Sequence, residues 1–146
     1  ALAQENPEQY REIVFCGYGE PTLRLDAIKA LAPRIKALGL RTRLNTDGLA
    51  SLVHGRDVLP ELRGLIDAVS VSLNAPGSEV YGQLCPSRYP PEVSYAAVKE
   101  FIRAAAGISD VTATAVSYPG VDVAACEKIA LELGAKWRLR TYDEIG

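Results

Sequence analysis

The chain has 146 residues, of which 48% are hydrophobic and 23% charged. That is enough apolar material for one core and too little length for two ordinary domains, so residues 1–146 are expected to form a single domain. A formal net charge of −2 and the lack of any Lys/Arg run argue against nucleic-acid binding. No apolar run approaches the roughly 20 residues of a helical membrane span.

The polar start, ALAQENPEQYRE, has no apolar signal core, and the cytoplasm is the expected compartment. The first strand is expected at Ile13 to Cys16, and it runs directly into Gly17, Tyr18, Gly19, Glu20 and Pro21. Glycines let the backbone turn sharply or approach a ligand, and Pro21 favours an extended Glu20. Two readings stand: a tight βα turn with a solvated glutamate, or a backbone surface offered to a ligand. A dinucleotide fingerprint is not met, because its third glycine is missing.

Leu25, Ile28, Leu31, Ile35 and Leu38 then recur at helical spacing, with Gly39 as the stop. The second strand, Thr42 to Asn45, leads into Thr46, Asp47 and Gly48, which read as ordinary turn formers. His54, the sole histidine, has no acid or nucleophile placed beside it by sequence and fits a surface or loop role. A weaker helix, Asp57 to Arg63, is interrupted by Pro60. In the third strand, Ala68 to Asn74, Val69, Val71 and Leu73 alternate with Ser70, Ser72 and Asn74. A parallel strand covered by helices is apolar on both faces, so this polar face predicts a pocket or a set of satisfied core hydroxyls.

The proline-rich stretch from Ala75 to Pro91 is long for a βα connection and is expected to act as a lid. Val98, Phe101, Ile102 and Ala105 mark the next helix, and Val111 to Val116 the fourth strand. Asp122 is placed to cap a helix carrying Cys126, Ile129, Ala130 and Leu133, which Gly134 ends. In the fifth strand, Lys136 to Tyr142, Lys136, Arg138 and Arg140 alternate with Trp137, Leu139 and Thr141. One face packs; the other offers a cation to a carboxylate or is solvated. Cys16, Cys85 and Cys126 are too widely spaced for a local metal motif, and Cys16 and Cys126 read as core.

Strand and helix alternate throughout, which predicts an α/β fold with a parallel sheet of about five strands. In such sheets ligands bind beyond the C-terminal strand ends.

GYGEP after the first strand, LNTDG after the second and SVSLNAP after the third together resemble the radical S-adenosylmethionine (SAM) superfamily. The stretches VFCGYGEPTLRLD, LVHGRDVLPEL and LRTYDEIG look closest to the radical SAM proteins associated with TatD-type nucleases. The resemblance implies a curved sheet, a partial (β/α)6 TIM-like barrel missing its first strand. It implies that Gly17, Tyr18, Gly19 and Glu20 form the wall for the SAM methionine, with Glu20 accepting from its ammonium. Asn45, Ser70, Ser72 and Asn74 match positions contacting the methionine carboxylate and ribose hydroxyls, and Arg138 falls near the adenine. The implied chemistry is cleavage of SAM at a reduced [4Fe-4S] cluster, fed by an electron donor, to a 5'-deoxyadenosyl radical that abstracts hydrogen from an unknown substrate.

Family members hold that cluster through C-x3-C-x2-C, which this sequence lacks. With five expected strands against six, no Met and an opening Ala, the chain is expected to be the C-terminal larger part of a radical SAM core. On its own it would be inactive, and its exposed first-strand edge would be a template for self-association. The rival expectations are a non-catalytic α/β small-molecule-binding module and a nuclease-partner module.

Overall fold

In a computed structural model, residues 12–16 and 20–141 are described. Their strands are β1 (Glu12–Phe15), β2 (Arg41–Thr46), β3 (Ala68–Ser72), β4 (Asp110–Val116) and β5 (Lys136–Arg140). Between them lie a 3-10 turn (Pro21–Arg24) and helices α1 (Leu25–Ala37), α2 (Ala50–His54), α3 (Leu59–Leu62), α4 (Ser78–Leu84), α5 (Pro91–Ala106) and α6 (Val123–Glu132). The strands form one open sheet in the order β1-β2-β3-β4-β5, and every pair is parallel.

The period of two along each strand divides the sheet into two unlike faces. Leu44, Val69, Val71, Val111, Ala113 and Ala115 are buried beneath the helices, with Ile28, Val98, Ile102 and Cys126. The opposite face is polar, concave and uncovered by helices, which is why Ser70 and Ser72 interrupt an otherwise apolar strand.

Local spacing explains most elements. In α1 the buried stripe is Leu25, Ile28, Ala32 and Ile35, whereas Leu31 and Leu38 are 41% and 39% exposed. The expected stripe is thus corrected: a 3.6-residue period carries Leu31 around the helix and brings Ala32 onto the sheet. Asp122 Oδ1 accepts from Ala125 N at 3.0 Å, as expected of the α6 cap. The expected helix at 57–63 shortens to α3, with Pro60 in the first turn, where a missing N–H costs nothing. The sequence reading did not include α2.

Three further expectations change. β3 stops at Ser72, because Leu73 N and Asn74 N both donate to Thr114 O and Asn74 turns to φ 67°. β5 stops at Arg140, and Tyr142 lies outside the described residues. The 75–91 segment does not cover the concave face; none of its residues lines that cavity. Instead α4 packs on α5, so closely that a Cβ on Gly82 would lie 2.6 Å from Pro91 Cγ, and the Tyr81 and Tyr95 rings sit 5.4 Å apart.

At the N-terminal ends of the strands, Asp67 fastens α1 to the sheet. It accepts from Lys36 Nζ at 2.6 Å and Thr42 N at 2.9 Å, while Thr42 Oγ1 donates to Leu65 O at 2.6 Å. Burial opposes ionisation of Asp67, but Lys36 and the Thr42 N–H outweigh it and hold its carboxyl below the usual range.

Candidate functional site

The concave face encloses a cavity of about 1100 Å³ to which all five strands contribute. Parallel register arranges its polar side chains in rows. Asn45 pairs with Ser70 and Ser70 with Thr112; one row nearer the C-terminal ends, Ser72 pairs with Thr114 and Thr114 with Arg138. Asn45, Ser70, Ser72 and Arg138 all line the cavity, Ser70 and Ser72 on the polar face that strand alternation predicted and Asn45 and Arg138 where the family resemblance put them.

Glu20 stands at the rim. Its backbone is extended (φ −75°, ψ 116°), as the following Pro21 favours, and the side chain caps the 3-10 turn. Oε2 accepts from Thr22 N at 3.2 Å, Thr22 Oγ1 at 2.5 Å and Thr46 Oγ1 at 2.7 Å, and Oε1 accepts from Asp47 N at 2.7 Å. Glu20 is therefore neither solvated nor loose. His54 Nε2 meets Thr22 O at 2.8 Å and so donates to it, pinning the same turn from behind; His54, expected at the surface or in a loop, is the last residue of α2.

Asp47 lines the cavity beside Glu20, and its Oδ1 accepts from Leu49 N at 3.0 Å. Burial first, then the charge and contact of Glu20, push Asp47 up to about 6, against the Leu49 N–H, which favours the ionised form. The two carboxylates make a rim that carries excess negative charge near neutrality. Among the described residues Glu20 has no ion-pair partner, whereas Glu12 and Asp67 each have one and Glu61 has two.

Deeper in, Arg43 crosses the floor. Its Nε donates to Glu12 Oε1 at 2.8 Å and its NH1 to Ser70 Oγ at 2.8 Å. Arg43 thus takes one of the two lone pairs of Ser70 Oγ, and among the described residues no acceptor takes the hydroxyl hydrogen, which leaves it for a ligand.

Gly17, Tyr18 and Gly19 lie outside the described residues. Asn74 does not line the cavity: its left-handed backbone sends Nδ2 to Cys85 Sγ at 3.3 Å. The expectation that it shares a face with Ser70 and Ser72 is corrected, since strand alternation ended two residues earlier. Cys16, expected in the core, is exposed and lines the cavity. Burial raises the Cys85 thiol and takes Cys126 to about 11, so both stay protonated at neutral pH.

Sequence reasoning missed Arg43, Asp47, Thr46, Thr112 and Thr114. The alternation used on the third strand, applied to TRLNT and VTATAV, would have found Arg43, Thr112 and Thr114. Thr46 and Asp47 carried no signal beyond turn propensity.

An open parallel α/β sheet with its ligand-sized cavity on the concave side defines the class as a partial barrel. Residues 1–133 match the sequence model of the Radical SAM superfamily, and the chain belongs to that superfamily. In fold it is similar to a crystal structure of archaeal TYW1, with a TM-score of 0.69 and 15% sequence identity over 92% of this chain and 44% of that one. The chain thus spans under half the length of that protein. No curated protein matches it.

The family implies SAM and a [4Fe-4S] cluster. The cavity residues fit SAM: Glu20 is a fixed carboxylate with spare acceptor capacity and no ion-pair partner among the described residues, and it stands beside hydroxyl and amide side chains. The described residues do not fit the cluster. Cys16 faces the cavity, Cys85 Sγ accepts a hydrogen bond from Asn74, Cys126 is buried on the inner side of α6, and no three ligating side chains among the described residues converge.

Proposed function

We propose that the concave face binds SAM, with Glu20 accepting from the methionine ammonium and Asn45, Ser70 and Ser72 meeting its carboxylate and ribose hydroxyls. Gly17, Tyr18 and Gly19 would complete the methionine wall. The observation that carries this is the Glu20 carboxylate, held by four protein hydrogen bonds at the cavity rim yet with no ion-pair partner among the described residues. Preorganisation of this kind removes the cost of ordering the acceptor when the ligand arrives. Within the family, SAM is the source of a hydrogen-abstracting radical, and the family implies an electron donor. For this chain's own residues the proposal is confined to binding and orienting the cofactor. The likeness of three sequence stretches to TatD-associated members supports placing the chain near that subfamily.

Calorimetry with SAM tests the reading. Glu20→Gln should weaken SAM by about tenfold to a hundredfold, the loss of one charge-assisted hydrogen bond of roughly 1.5–3 kcal/mol. Methylthioadenosine, which lacks the amino-acid part, should bind wild type and variant alike. Equal SAM affinity in both proteins would remove Glu20 from the site.

A further inference from the structure

The cavity is charge-segregated, and its second charged end has no counterpart in SAM. Of the cations along β5, Lys136 is neutralised by Asp110 at 3.0 Å. Arg43, on the floor, is likewise neutralised by Glu12 at 2.8 Å. Arg138 and Arg140 line the cavity and have no acidic partner among the described residues. Beside them stand the hydroxyls of Ser72 and Thr114, the latter in register with Arg138. The acidic rim of Glu20 and Asp47 lies at the β1–β2 end. From β2 to β5 are three inter-strand spacings, about 14 Å along the sheet.

One α-amino acid cannot neutralise both ends. Its carboxylate and ammonium share a carbon, so a methionine moiety anchored at Glu20 leaves the arginines without an anion, and adenine carries no negative charge. At about 1100 Å³ the cavity also exceeds the roughly 300–1,000 Å³ of single-ligand pockets, so a second small molecule has room. Guanidinium groups paired with hydroxyl donors suit carboxylate and phosphate oxygens.

We propose that the β4–β5 side of this cavity is the substrate subsite, and that Arg138 and Arg140, beside Thr114, bind an oxyanion of a small anionic substrate. The assignment of this ligand as substrate rests on the SAM reading above; the oxyanion site itself does not.

The test is NMR of the arginine Nε–Hε signals, assigned with Arg138→Lys and Arg140→Lys, during titration with pyrophosphate and, separately, succinate. Saturable shifts of both signals are expected, reduced by added salt, and calorimetry with the same two probes should show affinity at least about tenfold weaker in the Arg138→Gln/Arg140→Gln double variant. Tighter pyrophosphate marks a phosphorylated substrate, and tighter succinate a carboxylate. Absence of saturable shifts, or equal oxyanion affinity in the double variant, overturns the proposal. So does a double variant that loses SAM affinity while keeping the oxyanion, since the arginines would then serve the adenine. If the oxyanion site behaves as expected but SAM fails to bind wild type, the cofactor reading falls and the oxyanion site stands.

Discussion

Glu20 receives donors on both carboxylate oxygens and still presents acceptor capacity to the cavity, because each oxygen has two lone pairs and Oε1 takes a single protein donor. Its neighbour Asp47 sets the pH behaviour. With a folded value near 6 against 3.8 for the free side chain, the folded protein holds more protons between those limits. Stability therefore falls as pH rises from about 4 to 6 and is level above. Asp47→Asn should abolish that slope in urea denaturation series at successive pH values. It should also raise stability at neutral pH by no more than about 1 kcal/mol, since the group is partly solvated. An ammonium bound beside Glu20 favours ionised Asp47. Binding near pH 5.5 should thus release protons, which calorimetry in buffers of different ionisation enthalpy would reveal.

Between β2 and α2, Gly48 takes φ +83°, and a Cβ there would lie 2.9 Å from Val71 Cγ1. Thr46 Oγ1 accepts from Gly48 N at 3.1 Å, so this turn sets the positions of both Thr46 and Asp47. Gly48→Ala combines a left-handed alanine with a core clash and should cost about 1–3 kcal/mol. Chemical denaturation gives the stability loss, and SAM titration should show weaker binding, because the Asp47 N–H to Glu20 is displaced. LNTDG made a turn legible at this place, since a glycine after Asn, Thr and Asp is a local signal. That the turn completes a carboxylate pair was not legible. Asn74 shows the reverse error: alternation predicted its face correctly only while the strand lasted.

Across the molecule the two sheet faces divide stability from binding. Ile102 is fully buried on the helical face, and Ile102→Ala should destabilise by about 2–5 kcal/mol through the cavity it leaves. Measured by denaturation and by titration below the unfolding transition, that variant should keep its SAM affinity, because no cavity-lining group changes. Lost affinity in a folded Ile102→Ala protein would show the two faces to be coupled.

Apolar spacing and strand–helix alternation were sufficient by themselves for five parallel strands, for α1, α5 and α6 and for the polar positions Ser70 and Ser72, because these features depend on periods of two and 3.6 residues; Glu20 was marked by Gly19 and Pro21 beside it, Asn45 only by the family resemblance, and α2 and α4 were not foreseen. Tertiary structure alone decided which of those groups meet. Glu20 joins Asp47 across 27 positions, Arg43 links Glu12 and Ser70 across 31 and 27, and Arg138 and Arg140 face the cavity without an acid among the described residues. Such pairings follow from strand register and sheet curvature, which bring distant residues together and leave no trace in local spacing.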